Sequence, residues 1–364
     1  MASPPKMEYV RLGTSGLKVS KIILGCMSYG DPNWSGNWVL AEEEAVKHIK
    51  AAYDAGINAF DTANSYSNGL SEEVLGHAIK KHNLPREEIV VMTKIFLAVS
   101  KNTTEVLYGD ADLDLKGYVN QYGLSRKVNV QFFSFFCCPG LTRVQHIFDA
   151  VKHSLRRLGL DYIDVLQCHR FDPNTPIEET MQALHDVVKA GYARYIGMSS
   201  CYAWQFHAMQ NYAITHNLTP FISMQNQYSL VYREEEREMF PTLKHFGVGA
   251  IPWSPLSRGA LSRPLSQQTK RGESDALSAN FYTQSAASQA IVNRVEEIAK
   301  KRGISMAQVA IAWVLSKDGV SAPIVGTTSL ANLTDIIGAI HVQLSGAEIK
   351  YLEEPYQPMP IFGH

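Results

Sequence analysis

The sequence predicts a (β/α)8 TIM barrel with an N-terminal β-hairpin plug. Three observations lead there: eight short β-rich runs, amphipathic helical stretches between them, and a chain of 364 residues that is 45% hydrophobic and can bury a large core. Strands that alternate with helices pair in parallel, and eight of them close most economically into a ring. The whole chain, 1–364, reads as one barrel domain.

The elements follow in order. "MEYVRLGTSGLKVSKI" reads as two short strands around Thr14-Ser15-Gly16, a hairpin able to plug the N-terminal mouth. The strand candidates are then "KIILG" near 21, "NAFDTA" near 58, "IVVMTK" near 89, "YIDVLQCH" near 162, "ARYIGMSS" near 193, "FISMQNQYS" near 221, "GAIPWSPL" near 249 and "SAPIVGT" near 321. Stretches such as "EEEAVKHIKAAYDAG" and "IEETMQALHDVVKAG" show helical spacing and stop at glycine. A doubly wound sheet competes, but no G-x-G-x-x-G follows the first strand, and "GVGAIP" lacks the third glycine and a following helix.

Charge narrows the partners. The 34 Lys and Arg balance 35 Asp and Glu without a block of one sign, which argues against nucleic acid or an anionic membrane and for a small molecule. No apolar run is long enough to span a bilayer and no targeting signal is evident, so a cytoplasmic protein is expected. The five cysteines form neither a disulfide framework nor a zinc set, and the histidines show no ligand spacing, so no metal is expected.

In a barrel of this kind chemistry sits where strands end at their C-terminal side. Asp61 ends the second strand run, Tyr66 lies in the loop after it, Lys94 ends the third and His169 the fourth. Each alone reads as ordinary: a turn cap, a loop aromatic, a solvated strand end, a core histidine. Together they place ionisable groups around one mouth, where perturbed pKa values are expected. The set suits proton donation by a phenol, with an adjacent ammonium lowering the tyrosine pKa and a carboxylate holding that ammonium charged.

The motifs "FDTANSYSNGLSEEVLG", "VMTK", "DYIDVLQCHR", "GMSSCYAW", "MQNQYSL", "IPWSPLSRGAL" and "APIVGTTSLANL", in this order, resemble the aldo-keto reductase superfamily over nearly the whole chain. The "ILGCMSYGDPNW" opening is similar to a fungal branch of versiconal hemiacetal acetate reductases and aryl-alcohol dehydrogenases. The resemblance implies an oxidoreductase that reduces aldehydes or ketones with NADPH, NADH being the alternative, and a catalytic tetrad of Asp61, Tyr66, Lys94 and His169. Tyr66 would donate the proton and His169 orient the carbonyl. A non-catalytic, NADPH-binding regulatory subunit on the same fold is the rival reading.

The same resemblance implies cofactor contacts. Ser199, Ser200 and Gln225 would bind the carboxamide together with Asp61 beside them, and Trp253 would stack on the nicotinamide. Ser254, Leu256 and Arg258 would meet the pyrophosphate, and Gly326, Thr327 and Asn332 the adenosine phosphate. The chain departs from the pattern between Gly326 and Asn332, where the Lys and Arg that often clamp a 2′-phosphate are absent. For the substrate, Tyr29, Trp34, Phe96 and Arg170 suggest an aromatic-lined pocket for an aromatic or polyketide-like carbonyl, although loop tryptophans can equally serve as cover for the mouth.

One segment breaks the resemblance. Relatives read as though "GLSRK" ran straight into "HIFDAV", with Ser125 capping the helix, whereas here residues 128–145, with "FFSFFCCPG", intervene. Two readings stay open for Val128–Gln145: a retained intron in the gene model or transcript, or a working lid or partner-binding loop.

Overall fold

The computed structural model describes residues 7–107, 112–126, 146–267 and 282–364. The insertion at 128–145, and most of the polar segment that follows the seventh strand run, therefore lie outside the described residues.

β1 (Tyr9–Arg11) and β2 (Lys18–Ser20) pair antiparallel, Val10 opposite Val19. Alternation along these strands turns Val19 inward, and Leu12 joins it from the turn. Both are buried against Ile23, Ala59, Val90 and Met92, near the strand starts. The hairpin thus closes the N-terminal end with apolar side chains, each contributing about 1.5–3 kcal/mol by leaving water, and leaves the opposite end open.

The barrel strands are β3 (Ile23–Gly25), β4 (Ala59–Asp61), β5 (Val90–Ile95), β6 (Ile163–Cys168), β7 (Ala193–Ser199), β8 (Phe221–Gln225), β9 (Gly249–Ala250) and β10 (Ile324–Val325). They form one parallel sheet in the order β10-β3-β4-β5-β6-β7-β8-β9. Isolated bridges from Ala250 to Val320 and from Trp253 to Ile324 join its two edges, so the ring closes. All eight strand runs read from the sequence take their places in the ring.

Helices α1 (Glu42–Asp54), α2 (Leu70–Lys81), α3 (His146–Leu158), α4 (Ile177–Lys189) and α5 (Ala203–Thr215) surround this side of the barrel. In α3 the buried positions Ile147, Ala150, Val151, Ser154, Leu155 and Leu158 recur at helical spacing and form one face toward the sheet. A charge pair with a buried carboxylate ties this layer to the site. Glu72 of α2 accepts from Thr93 Oγ1 at 2.6 Å and pairs with Arg157 Nε of α3 at 2.7 Å. Because side chains alternate along a strand, Thr93 held outward sends Lys94 inward.

The chain on either side of residues 127–145 meets in space. Ile147 N donates to the Ser125 carbonyl at 3.4 Å, while Arg126 N donates to Glu179 Oε1 at 2.6 Å and Arg126 pairs with Asp186 at 2.5 Å. Ser125 reaches the first turn of α3 through its carbonyl. Among the described residues no helix is long and apolar enough to cross a membrane.

Candidate active site

β4 stops at Asp61, and the chain turns through Ala63 and Asn64 into a 3-10 segment, Tyr66–Gly69, that begins with the phenol. β5 delivers Lys94 from the adjacent strand, and His169 follows the last residue of β6. Lys94, with no exposed surface, donates from Nζ to Asp61 Oδ2 at 2.5 Å, to the Thr62 carbonyl at 2.9 Å and to Tyr66 Oη at 3.2 Å. One ammonium thus bridges the carboxylate and the phenol. The His169 ring meets the Tyr66 ring edge-on, centroids 5.8 Å apart.

Asp61 is held from its other side as well. Its Oδ1 accepts from Gln167 Nε2 and from Gln225 Nε2, each at 2.9 Å, and Gln225 Nε2 also lies 2.9 Å from Gln167 Oε1. All three side chains are buried. Gly197 of β7 makes this approach sterically feasible: a Cβ there would lie 2.4 Å from Ser223 Oγ and 3.3 Å from Gln167 Cγ. Two amides and an ammonium satisfy a buried carboxylate that would otherwise cost several kcal/mol.

The electrostatics follow from burial and this pairing. Burial alone would lower the Lys94 pKa, but the Asp61 carboxylate and Tyr66 outweigh it and the net shift is upward. For Tyr66 burial wins in the other direction: it raises the phenol pKa, and the opposing pull of Lys94 does not cancel the rise. This corrects the expectation of a lowered tyrosine pKa. Lys94 acts with the expected sign, yet desolvation of a would-be phenolate is the larger effect. Burial, then the positive charges of Arg170 and Lys94, hold His169 well below its usual range, so its ring is neutral. Its Nδ1 is buried with no partner among the described residues.

Above these groups opens a cavity of about 970 Å³. Tyr66, His169 and Asp61 reach its wall, as do Ser199, Gln225, Trp253, Ser254, Leu256, Arg258, Gly326, Thr327 and Asn332. Ser199 donates from Oγ to the Gln225 carbonyl at 2.8 Å. Ser200 is not on the wall; its Oγ accepts from Trp253 Nε1 at 3.1 Å and so orients the indole. Of the proposed substrate contacts, Trp34 and Arg170 line the cavity and Tyr29 and Phe96 do not. Tyr29 is fully buried, its hydroxyl donating to the Thr327 carbonyl at 3.3 Å, which corrects its assignment to the pocket: the side chain turns into the core instead. Phe96 packs against the main core. Trp34 and Trp38 cluster with Met27 and Tyr66, so the first loop forms a wall next to the phenol.

Sequence reasoning missed Gln167, Leu107, Arg263 and Phe362. Gln167 is the next-to-last residue of β6, where an uncharged polar side chain after Val165 and Leu166 was the one available signal. Phe362 reaches the wall from the far end of the chain, its ring 6.4 Å from Trp253 and its N–H donating to Tyr232 Oη at 3.0 Å. No local pattern announces that.

A closed parallel barrel whose open end carries a carboxylate, a lysine and a tyrosine in one hydrogen-bonded chain has the groups for proton transfer at the wall of a cavity. The aldo/keto reductase family model matches residues 21–357, and the chain belongs to that family. It is 48% identical over 359 residues to versiconal hemiacetal acetate reductase of Aspergillus parasiticus, covering 98% of each chain. It is 49% identical over 376 residues to a provisionally named aryl-alcohol dehydrogenase of Schizosaccharomyces pombe, covering 100% of this chain and 99% of the relative. An aldo-keto reductase of Fusarium vanettenii is 45% identical over 370 residues, with 100% of this chain and 94% of the relative covered.

Proposed function

We propose that this chain, as a single barrel domain, is an NADPH-dependent carbonyl reductase in which Tyr66 donates the proton to the substrate oxygen. The observation that carries this reading is the buried chain Asp61–Lys94–Tyr66, at 2.5 and 3.2 Å, ending on the wall of a cavity of about 970 Å³. The residues present fit a dinucleotide: an indole face (Trp253), an amide (Gln225), hydroxyls (Ser199, Thr327) and guanidinium groups (Arg258, Arg263) line one continuous space. Ser254, Leu256, Gly326 and Asn332 complete the wall that would hold it.

When bound, the nicotinamide supplies hydride to a carbonyl carbon. The protein's own groups do the rest. As the carbonyl oxygen gains negative charge, the Tyr66 O–H donates to it and then gives up its proton. The raised pKa keeps Tyr66 protonated at neutral pH, ready to act as an acid. Lys94, kept charged by Asp61, stabilises the phenolate left behind and makes the transfer accessible. His169, neutral and facing the ring of Tyr66, offers an N–H to the same oxygen without adding a second charge.

The substrate class is an aromatic or polyketide-like aldehyde or ketone. Trp34 and Trp38 beside Tyr66 provide flat apolar surface, and the names of two of the relatives above refer to an aryl alcohol and to versiconal hemiacetal acetate. Mixing the purified protein with NADPH and 4-nitrobenzaldehyde should consume NADPH absorbance with alcohol formed in equal amount. Cofactor binding without turnover, across a panel of aryl aldehydes, would instead favour a binding subunit.

A further inference from the structure

We infer that Arg263 is the ligand for the 2′-phosphate of the cofactor, replacing the basic residues missing between Gly326 and Asn332. The inference rests on the dinucleotide reading above. Arg263 follows the 3-10 segment Ser257–Ser262, which packs on the helix Met306–Leu315. At the start of that helix Ser305 Oγ donates to Asp335 Oδ2 at 2.6 Å, and Ser305, Asp335, Asn332 and Arg263 all line the cavity. The loop thus brings Arg263 onto the same cavity wall as Asn332 and Thr327.

What sets Arg263 apart, among the described residues, is its lack of a partner. Arg86, Arg126, Arg157, Arg233, Arg294 and Arg302 each pair with a carboxylate within 2.8 Å. Arg263 is half-buried, and among the described residues it has neither a hydrogen bond nor an ion pair. Burial lowers its pKa with no carboxylate to offset it. A guanidinium withdrawn from water without a counter-charge is unfavourable by itself and becomes favourable when an anion arrives.

Space for this group is built into the wall. Gly259 has φ +99, and a Cβ at that position would lie 2.4 Å from Arg263 Nη2. Glycine therefore meets both the backbone angle and the close approach of the guanidinium. Asp335 is a carboxylate on the same cavity wall. Its hydrogen bond from Ser305 turns one carboxylate oxygen to that hydroxyl, and the residue is suited to the base or ribose rather than to a phosphate. A phosphate dianion matches the planar fork of an arginine and gains charge-assisted hydrogen bonds from it.

The test is calorimetric titration of the purified protein with adenosine 2′,5′-bisphosphate and with adenosine 5′-monophosphate. Wild-type protein should bind the bisphosphate roughly 10-fold or more tightly than the monophosphate, as one charged hydrogen-bonded contact provides. Arg263→Gln should bring the two affinities together by weakening the bisphosphate alone, and Arg263→Lys should retain part of the preference. An unchanged preference in Arg263→Gln overturns the assignment, and so does an equal loss for both nucleotides, which would place the guanidinium on the 5′-phosphate side. Wild-type protein that binds neither nucleotide overturns the dinucleotide reading itself, a result distinct from wild-type protein that binds both equally.

Discussion

The Gln167 carboxamide donates to Asp61 Oδ1 at 2.9 Å, on the face of the carboxylate opposite the oxygen that holds Lys94. Gln225 donates to the same Oδ1. If the nicotinamide carboxamide draws on Gln225, Gln167 remains to keep Asp61 in position. Gln167→Leu should therefore lower kcat by roughly 10-fold, the value of a hydrogen bond to a charged group, with little change in cofactor affinity. Gln167→Glu sets a second carboxylate beside Asp61 and should shift the pH profile of kcat. An unaltered profile in both variants would remove Gln167 from the positioning of the site.

Tyr66→Phe deletes the hydroxyl at 3.2 Å from Lys94 Nζ and leaves the ring that packs on Trp34 and Trp38. Reduction should fall by roughly 10²–10⁴-fold, the range for a general acid, while NADPH fluorescence titration stays near wild type. Wild-type turnover in this variant would exclude the phenol as the proton donor.

Trp253 receives its orientation from Ser200, through a 3.1 Å hydrogen bond. Trp253→Ala should weaken NADPH binding by removing an aromatic face, and Trp253→Phe should recover part of it because a face remains. Equal affinity in all three proteins would count against stacking at this position.

Acid should destabilise the protein through two histidines. Burial holds His169 well below the ordinary 6.5 and brings His146 down to about 4. Both pKa values are depressed in the folded state, so the unfolded chain binds protons that the folded chain refuses. Stability is complete above about pH 6.5 and falls below it, by up to about 1.4 kcal/mol per pH unit for each histidine. Thermal melts between neutral pH and about pH 4 should show a falling Tm, and His146→Gln should flatten the slope. A Tm independent of pH across that window would refute the linkage.

The hydrogen bond from Ile147 N to the Ser125 carbonyl means that the chain is already joined across residues 127–145. Deleting 128–145 should therefore keep the Tm within a few degrees and preserve reductase activity, the outcome expected of a retained intron. A folded deletion variant without activity would make the segment a working part of the enzyme, and sequencing the mature transcript establishes its origin.

The strands and the polar residues at their ends were legible because both are local signals. A short apolar run bounded by helical periodicity marks a strand, and a polar residue at its end marks the open mouth, as with Asp61, Lys94 and His169. The hairpin plug was legible for the same reason. What the tertiary structure decided is which side chains face one another after the ring closes. Gln167 reaches Asp61 across 106 positions of chain, Arg263 arrives on a loop after the seventh barrel strand, Phe362 returns from the end, and Tyr29 turns into the core. The balance of the Tyr66 pKa was decided there too. Sequence shows that an ammonium is near, but how far burial opposes it depends on how much water the assembled wall excludes.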